Sequence, residues 1–240
     1  MLPMEGKIAI VTGAGKGIGR EICLLFAEKG AKIVAAARTQ SDIEELVGQI
    51  ESQGGEALAV ATDIRRRDEA DRLISSALDR FGGIDVLVNN AGVGAFANVV
   101  DLSDADWNSQ IETNLTGMFF CTRAALKEML KGKKDTVRHI INIASLASTA
   151  GFRGGSAYCA SKFGVVGFTE SLMLEVREHN IKVSVILPGS VNTSFRGTSP
   201  DAESWKLHPG DIAQAVVDVV TSSKQALMSR IEVRPLKPKG

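Results

Sequence analysis

Short apolar runs alternate with longer amphipathic stretches along almost the whole chain. Runs such as IAIV at 8–11, VLV at 86–88 and VSVIL at 183–187 are apolar at successive positions. Strands read this way when both faces of their sheet are covered. The pattern predicts strands at 7–12, 32–36, 57–61, 85–89, 139–143, 182–187 and 230–233. Between them it predicts helices at 17–29, 41–53, 68–81, 103–131, 157–178 and 209–221. In the first helix Ile18, Ile22, Leu25 and Phe26 form one stripe at i, i+4, i+7 and i+8. Pro209 followed by Asp211 reads as a helix start. Strict β-α-β alternation implies an α/β fold, a doubly wound parallel sheet with right-handed crossovers and helices on both faces. No internal repeat or linker divides the chain, so residues 1–240 are expected to form a single domain. One polar interruption at 190–208, with Gly197, Pro200 and Trp205, is either a flap over a site or a plain surface loop.

Composition narrows the function classes. Lys+Arg and Asp+Glu number 28 each, so no global field favours nucleic acid or an anionic membrane. At 44% hydrophobic and 23% charged, the chain can bury a sizeable core. Cys23, Cys121 and Cys159 are odd in number and irregularly spaced, which fits a reducing compartment rather than a disulfide framework. The first residues lack a basic start, a continuous apolar stretch and a small-residue cleavage site, and no apolar run approaches a membrane span. These features lead us to expect a cytoplasmic protein with neither a nucleic-acid nor a membrane partner. His139, His179 and His208 show no metal-ligand spacing, and no metal is expected.

The chemistry begins at Thr12-Gly13-Ala14-Gly15-Lys16-Gly17-Ile18-Gly19, where the first strand meets the first helix. Glycines there allow a sharp turn, bring backbone N–H groups close to a pyrophosphate and pack the helix on the strand. The helix N-terminus adds donors and a partial positive charge. A bare strand-to-helix turn is the alternative, but the placement after an apolar strand and before an amphipathic helix supports a dinucleotide site. The end of the second strand, Ala36-Ala37-Arg38-Thr39, carries no acid before Asp42. A carboxylate there would accept from a ribose 2′-hydroxyl and repel a 2′-phosphate. The missing acid, with Arg38 and Lys16 as paired cations, favours NADP(H).

Tyr158 is the only tyrosine, and Lys162 follows four residues later, on the same face of a helix. A free phenol has a pKa of about 10 and is a poor proton donor and acceptor near neutrality. A fixed ammonium nearby favours the phenolate. Ser145 ends the fifth strand, and Asn89-Asn90-Ala91-Gly92 ends the fourth, both at the edge where ligands bind in open parallel sheets. Asn114 lies inside the intervening helix.

With the glycine turn these residues make the set TGxxxGxG, NNAG, Asn, Ser and YxxxK. From Lys7 to about Val233 the chain resembles the short-chain dehydrogenase/reductase family, nearest in general look to 3-ketoacyl-carrier-protein reductases and related carbonyl reductases. The resemblance implies a seven-stranded parallel Rossmann-type sheet in the order 3-2-1-4-5-6-7. It implies that Tyr158 protonates a carbonyl oxygen in reduction and acts as base in oxidation. Lys162 would lower the pKa of Tyr158 and hold the nicotinamide ribose. Ser145 would hydrogen-bond the substrate oxygen, and Asn114, kinking its helix, would hold a water linking Lys162 to solvent. Asp63, with Ile64 beside it, matches an adenine-contacting acid. Asn90, Ala91 and Gly92 would line the adenosine ribose and steady the central strand. Pro188, Gly189, Val191 and Thr193 would fix the nicotinamide carboxamide. The family commonly pairs subunits through the helices bearing Asn114 and Tyr158, so a homodimer or homotetramer is expected. Phe119, Phe120, Phe163, Phe168 and Leu172 could supply that face or simply cover the sheet.

The reading that follows is NADPH-dependent reduction of a ketone or 3-oxoacyl-type carbonyl on a small-molecule substrate. An alcohol or sugar dehydrogenase working oxidatively is an alternative, as is a dinucleotide-binding regulator without catalysis. Val93, Phe96, Leu146, Phe152 and Phe195 suggest a partly hydrophobic pocket without naming a ligand. The end, MSRIEVRPLKPKG, is basic and proline-rich where the reductases carry a glycine-rich apolar tail at a subunit interface. The segment 194–208 is short, suggesting a small or open lid. The linker KGKKDTVRH at 131–139 is long and basic, and should lie at the edge opposite the site.

Overall fold

The computed structural model describes residues 2–132, 136–196 and 205–237. Seven strands form one sheet: β1 (Ile8–Thr12), β2 (Lys32–Ala37), β3 (Ala57–Ala61), β4 (Val86–Asn89), β5 (Arg138–Ile143), β6 (Ile181–Pro188) and β7 (Arg230–Val233). Their order is β3-β2-β1-β4-β5-β6-β7, with every pair parallel. The helices are α1 (Gly17–Glu28), α2 (Gln40–Ser52), α3 (Arg67–Phe81), α4 (Asp104–Ile111), α5 (Met118–Met129), α6 (Ser156–Val176) and α7 (Pro209–Val220).

Alternate strand positions feed two cores. Ala9, Val11, Ile33, Val88 and Ile141 pack with Ile22 and Phe26 of α1, Leu46 of α2 and Val216 of α7. Ile10, Val34, Leu87, Ile140 and Val183 pack with Leu73 of α3, Cys121 of α5 and Leu172 of α6. Covering both faces explains why the strands are apolar at successive positions. The strand order reverses between β1 and β4, and a crevice outside the carboxyl ends of strands forms at such a switch. Registers of Val11 with Val88, Asn89 with Asn142 and Ile143 with Ile186 bring Thr12, Asn89, Ile143 and Pro188 to that edge.

The helix expected over 103–131 departs from that pattern. It starts at Ser103, whose hydroxyl accepts from the Asp106 N–H at 3.0 Å, but a π-helical segment at Glu112–Gly117 separates α4 from α5. Two tertiary contacts explain the widened turn. The Asn114 amide is bonded to both backbone groups of Val93, and Gly117 lies so close to Ile64 that a Cβ there would stand 2.7 Å from its Cγ1. At the other end, α7 starts at Pro209 as expected, and the Asp211 carboxylate accepts from the His208 N–H at 2.7 Å.

The segment expected at 190–208 is tied at its stem. Asn192 N–H donates to the Leu207 carbonyl at 2.9 Å and Leu207 N–H to that of Ser190 at 3.0 Å. Gly197 and Pro200 lie outside the described residues, as do residues 133–135 of the basic linker. No helix among the described residues is long and apolar enough to cross a membrane.

Candidate active site

The glycine turn is built by close approach. Gly13 has φ of +66°, and a Cβ there would meet Ala91 Cα at 2.8 Å and Asn90 Nδ2 at 2.9 Å. The close approach excludes a side chain, and the positive φ disfavours one. Thr12, whose role sequence reasoning missed, bolts β1 to the loop after β4. Its buried hydroxyl accepts from the N–H groups of Asn90 and Ala91 at 3.1 Å each, and donates to the Val88 carbonyl at 3.4 Å. The Asn90 amide donates in turn to the carbonyls of Thr12 and Gly13, so its side chain braces the glycine turn. The signal was a polar residue ending an apolar strand. Behind the turn, the Ile18 side chain packs against the core, and Gly19 is pressed against Gly13 and Asn90.

The first turn of α1 has no acidic residue, and its N-cap Lys16 makes no side-chain cap. Its backbone donors are therefore left for an anion. A cavity of about 400 Å³ opens beside them, with Gly15, Lys16, Gly17, Asn192 and Thr193 in its lining. Thr193 Cγ2 comes within 3.1 Å of where a Gly17 Cβ would lie, so the segment after β6 reaches the glycine turn. Pro188 and Gly189 continue that edge. Gly189 N–H donates to the Val233 carbonyl at 2.8 Å, and a Cβ on it would stand 2.8 Å from Pro235 Cδ. Val191 forms a bridge with Leu207. These features fit a pyrophosphate-bearing dinucleotide.

The cations proposed from sequence for a phosphate differ in state. Arg38 is exposed, whereas Lys16 Nζ lies 3.2 Å from Asp42 Oδ2. Asp63 is engaged by Arg65, whose Nε stands 2.9 and 3.0 Å from its two oxygens. That guanidinium holds the Asp63 carboxyl below the usual carboxylate range, with Arg38 adding a smaller effect. The neighbouring Ile64 side chain is buried and packs against Gly117 of the π segment.

Tyr158 and Lys162 share a face of α6, with Lys162 Nζ 5.8 Å from the Tyr158 ring centroid. Lys162 is 4% exposed, has no carboxylate partner among the described residues, and donates to the Ile143 carbonyl at 2.8 Å. Burial pulls its pKa down to about 8. A Cβ on Gly92 would lie 3.3 Å from Asn114 Oδ1 and 3.6 Å from Lys162 Nζ, so these three positions converge. Ser161 was also missed. Its hydroxyl accepts from Asn114 Nδ2 at 2.9 Å and donates to the Tyr158 carbonyl at 2.8 Å, tying the π segment to α6. Ser145 follows β5, and its oxygen accepts from Ala147 N–H at 3.1 Å, leaving its own O–H to donate outward. Beneath them a buried chain runs from Thr122 through Asn89 and Asn142 to Thr169.

Three aromatic rings wall the open side. Phe96 and Phe195 meet Tyr158 edge-on at centroid distances of 5.6 and 5.8 Å, and Phe152 lies 5.7 Å from Phe96. Leu146 approaches Gly189, while Val93 contributes its backbone to Asn114. Among the described residues no cluster of His, Cys, Asp or Glu is placed to hold a metal.

A family model described as short chain dehydrogenase matches residues 7–204. The chain belongs to the short-chain dehydrogenase family. It is a short-chain oxidoreductase, 40% identical over 196 residues to a 3-oxoacyl-(acyl-carrier-protein) reductase of Synechocystis sp., covering 81% of this chain and 78% of that one. Two solved structures share its fold over nearly their whole length. One is a metagenomic short-chain oxidoreductase in complex with NADP, with a TM-score of 0.86 at 35% identity, covering 98% of this chain and 100% of that one. The other is a 3-ketoacyl-(acyl-carrier-protein) reductase from Brucella melitensis complexed with NADH, with a TM-score of 0.89 at 29% identity and coverage of 97% and 98%.

Proposed function

We propose that this short-chain dehydrogenase reduces a ketone or 3-oxoacyl-type carbonyl to an alcohol at the expense of NADP(H), the whole chain acting as one dinucleotide-binding domain. The observation carrying this reading is the buried, uncompensated Lys162 ammonium beside the ring of Tyr158, at the sheet edge that also holds Ser145. When bound, the dinucleotide supplies the hydride that adds to the carbonyl carbon. The Ser145 O–H donates to the carbonyl oxygen and orients it. Tyr158 gives its phenolic proton to the same oxygen as charge develops, and Lys162 stabilises the phenolate left behind. Asn114 and Ser161 hold α6 against the π segment, which keeps Tyr158 and Lys162 in register. In oxidation the same groups run in reverse.

The absence of an acid at the end of β2, the exposed Arg38 and the proximity of Lys16 support NADP(H) over NAD(H). The phenylalanine wall suits an apolar group beside the reacting carbonyl. Exposed Phe119 and Phe163 support association of copies through α5 and α6. The test is NADPH oxidation against acetoacetyl thioesters, diketones, quinones and simple aldehydes, repeated with NADH. Tyr158→Phe should bind NADPH normally and lose at least about 100-fold in turnover. Near-normal turnover in that variant overturns the mechanism. Tight NADPH binding with no turnover on any carbonyl points instead to a nucleotide-binding regulator.

A further inference from the structure

Three cations stand near the corner where the glycine turn faces the end of β2, and two of them are paired with internal anions. Lys16 pairs with Asp42 at 3.2 Å, and Arg20 reaches Glu45 at 3.1 Å. Arg38 is exposed, and the Asp63 carboxylate nearby is taken by Arg65. Asp42 does not stand at the strand end, where an acid selecting a ribose diol is found. It sits in the first turn of α2, and the fold brings it back over the glycine turn. A Cβ placed on Gly15 would lie 3.0 Å from Asp42 Cβ, 3.4 Å from its Oδ2 and 3.7 Å from Ala37 Cβ. Its carboxylate is therefore wedged between the turn and the strand end, and its side chain is only 25% exposed. In the adjoining cavity Lys16 and Arg20 face Glu21, Asp42 and Glu45, a net negative lining.

We infer that Asp42 is a coenzyme-discriminating residue, an internal counter-ion that holds Lys16 and so tempers the preference for a 2′-phosphorylated dinucleotide. The inference rests on the reading that the glycine turn binds a nicotinamide dinucleotide with its adenosine ribose at this corner. A phosphomonoester arriving there brings between one and two negative charges near neutrality. It must take Lys16 from Asp42 or share it beside a like charge, and either course weakens its binding. The dinucleotide without that phosphate presents a neutral hydroxyl, and the exchange leaves it unaffected. Lys16 is 68% exposed, so the ion pair contributes little to folding. Its effect falls on selectivity. An acid in the first turn of α2 also favours the helix dipole, and a purely structural Asp42 would do only that.

Equilibrium titration of the purified protein with NADPH and with NADH, followed by coenzyme fluorescence, separates these roles. Asp42→Asn should tighten NADPH about five- to twentyfold while NADH stays within about twofold. Asp42→Ala should do the same, and adding Lys16→Ala to either variant should abolish the gain. Glu44→Gln removes a charge from the same helix turn and should leave both affinities alone. An unchanged NADPH-to-NADH ratio in Asp42→Asn overturns the inference, as does a gain that survives loss of Lys16 or is matched by Glu44→Gln. Weaker NADH binding in Asp42→Asn also overturns it, because Asp42 would then hold the ribose hydroxyls. A wild-type protein that binds NADH more tightly than NADPH contradicts the proposed NADP(H) preference and leaves the response to Asp42→Asn to be read on its own.

Discussion

A lysine with one hydrogen bond and no counter-ion is costly to bury, and Lys162 has both properties among the described residues. Its folded pKa of about 8 lies below its ordinary value of 10.5, so the folded protein binds fewer protons than the unfolded chain between those pH values. Stability contributed at this site therefore rises with pH across that window, and the penalty is fully present below it. Its size is on the order of 3 kcal/mol. Lys162→Met should accordingly abolish most turnover yet raise the melting temperature by several degrees, measurable by calorimetry at pH 7. A lower melting temperature would show that the ammonium is better compensated than its contacts indicate. In the wild type, kcat/KM should fall as pH rises past about 8. Residue-level legibility was uneven. The Tyr158–Lys162 pairing is visible in linear spacing because one helix carries both. Thr12 and Ser161 were not visible as functional positions, because their hydroxyls act on backbone or side-chain groups brought near by the fold.

At the level of elements, the glycine turn is shaped as much by β4 as by its own glycines. Thr12 is fully buried, and removing its hydroxyl leaves the N–H groups of Asn90 and Ala91 without their acceptor. Thr12→Val should destabilise the protein by about 2 kcal/mol and weaken dinucleotide binding about tenfold, with Thr12→Ser restoring most of both. Urea denaturation and NADPH titration check this, and unaffected binding in a destabilised valine variant would confine Thr12 to a structural role. The π segment shows where periodicity stops being informative. Apolar spacing over 103–131 supports a helix throughout, and the chain is helical over most of it. The widened turn at Glu112–Gly117 depends on Asn114 reaching Val93 and on Gly117 admitting Ile64, contacts with no local signature. The start of α7 was legible for the opposite reason, since Pro209 and Asp211 stand two residues apart in sequence, although the part His208 plays there was not read.

For the whole molecule, the layered arrangement was legible because successive apolar residues in the strands demand cover on both faces. The strand order followed from family resemblance. The surface of α5 and α6 was only partly legible, since helix periodicity does not separate a face packed on the sheet from one packed on another copy. Leu172 is 4% exposed and lies within the core, with Phe120 and Phe168 packed against it. Phe119 and Phe163, by contrast, are 37% and 47% exposed, and Arg123 lies over the Phe119 ring at 4.7 Å. Light scattering at micromolar concentration should give a dimer or tetramer, and Phe163→Glu should shift it toward monomer. A wild-type monomer would remove these two rings as an interface.

The closing strand has a practical corollary for handling the protein. Val233 and Pro235 press directly on Gly189, beside the segment that reaches the glycine turn. A perturbation of β7 or Pro235 is therefore expected to reach the backbone at Gly189. Residues 2–7 enter at the opposite edge of the sheet, where the Met4 N–H is fastened to the Lys29 carbonyl at 3.0 Å. Affinity handles, surface tethers and fluorescent fusions therefore belong at the amino end.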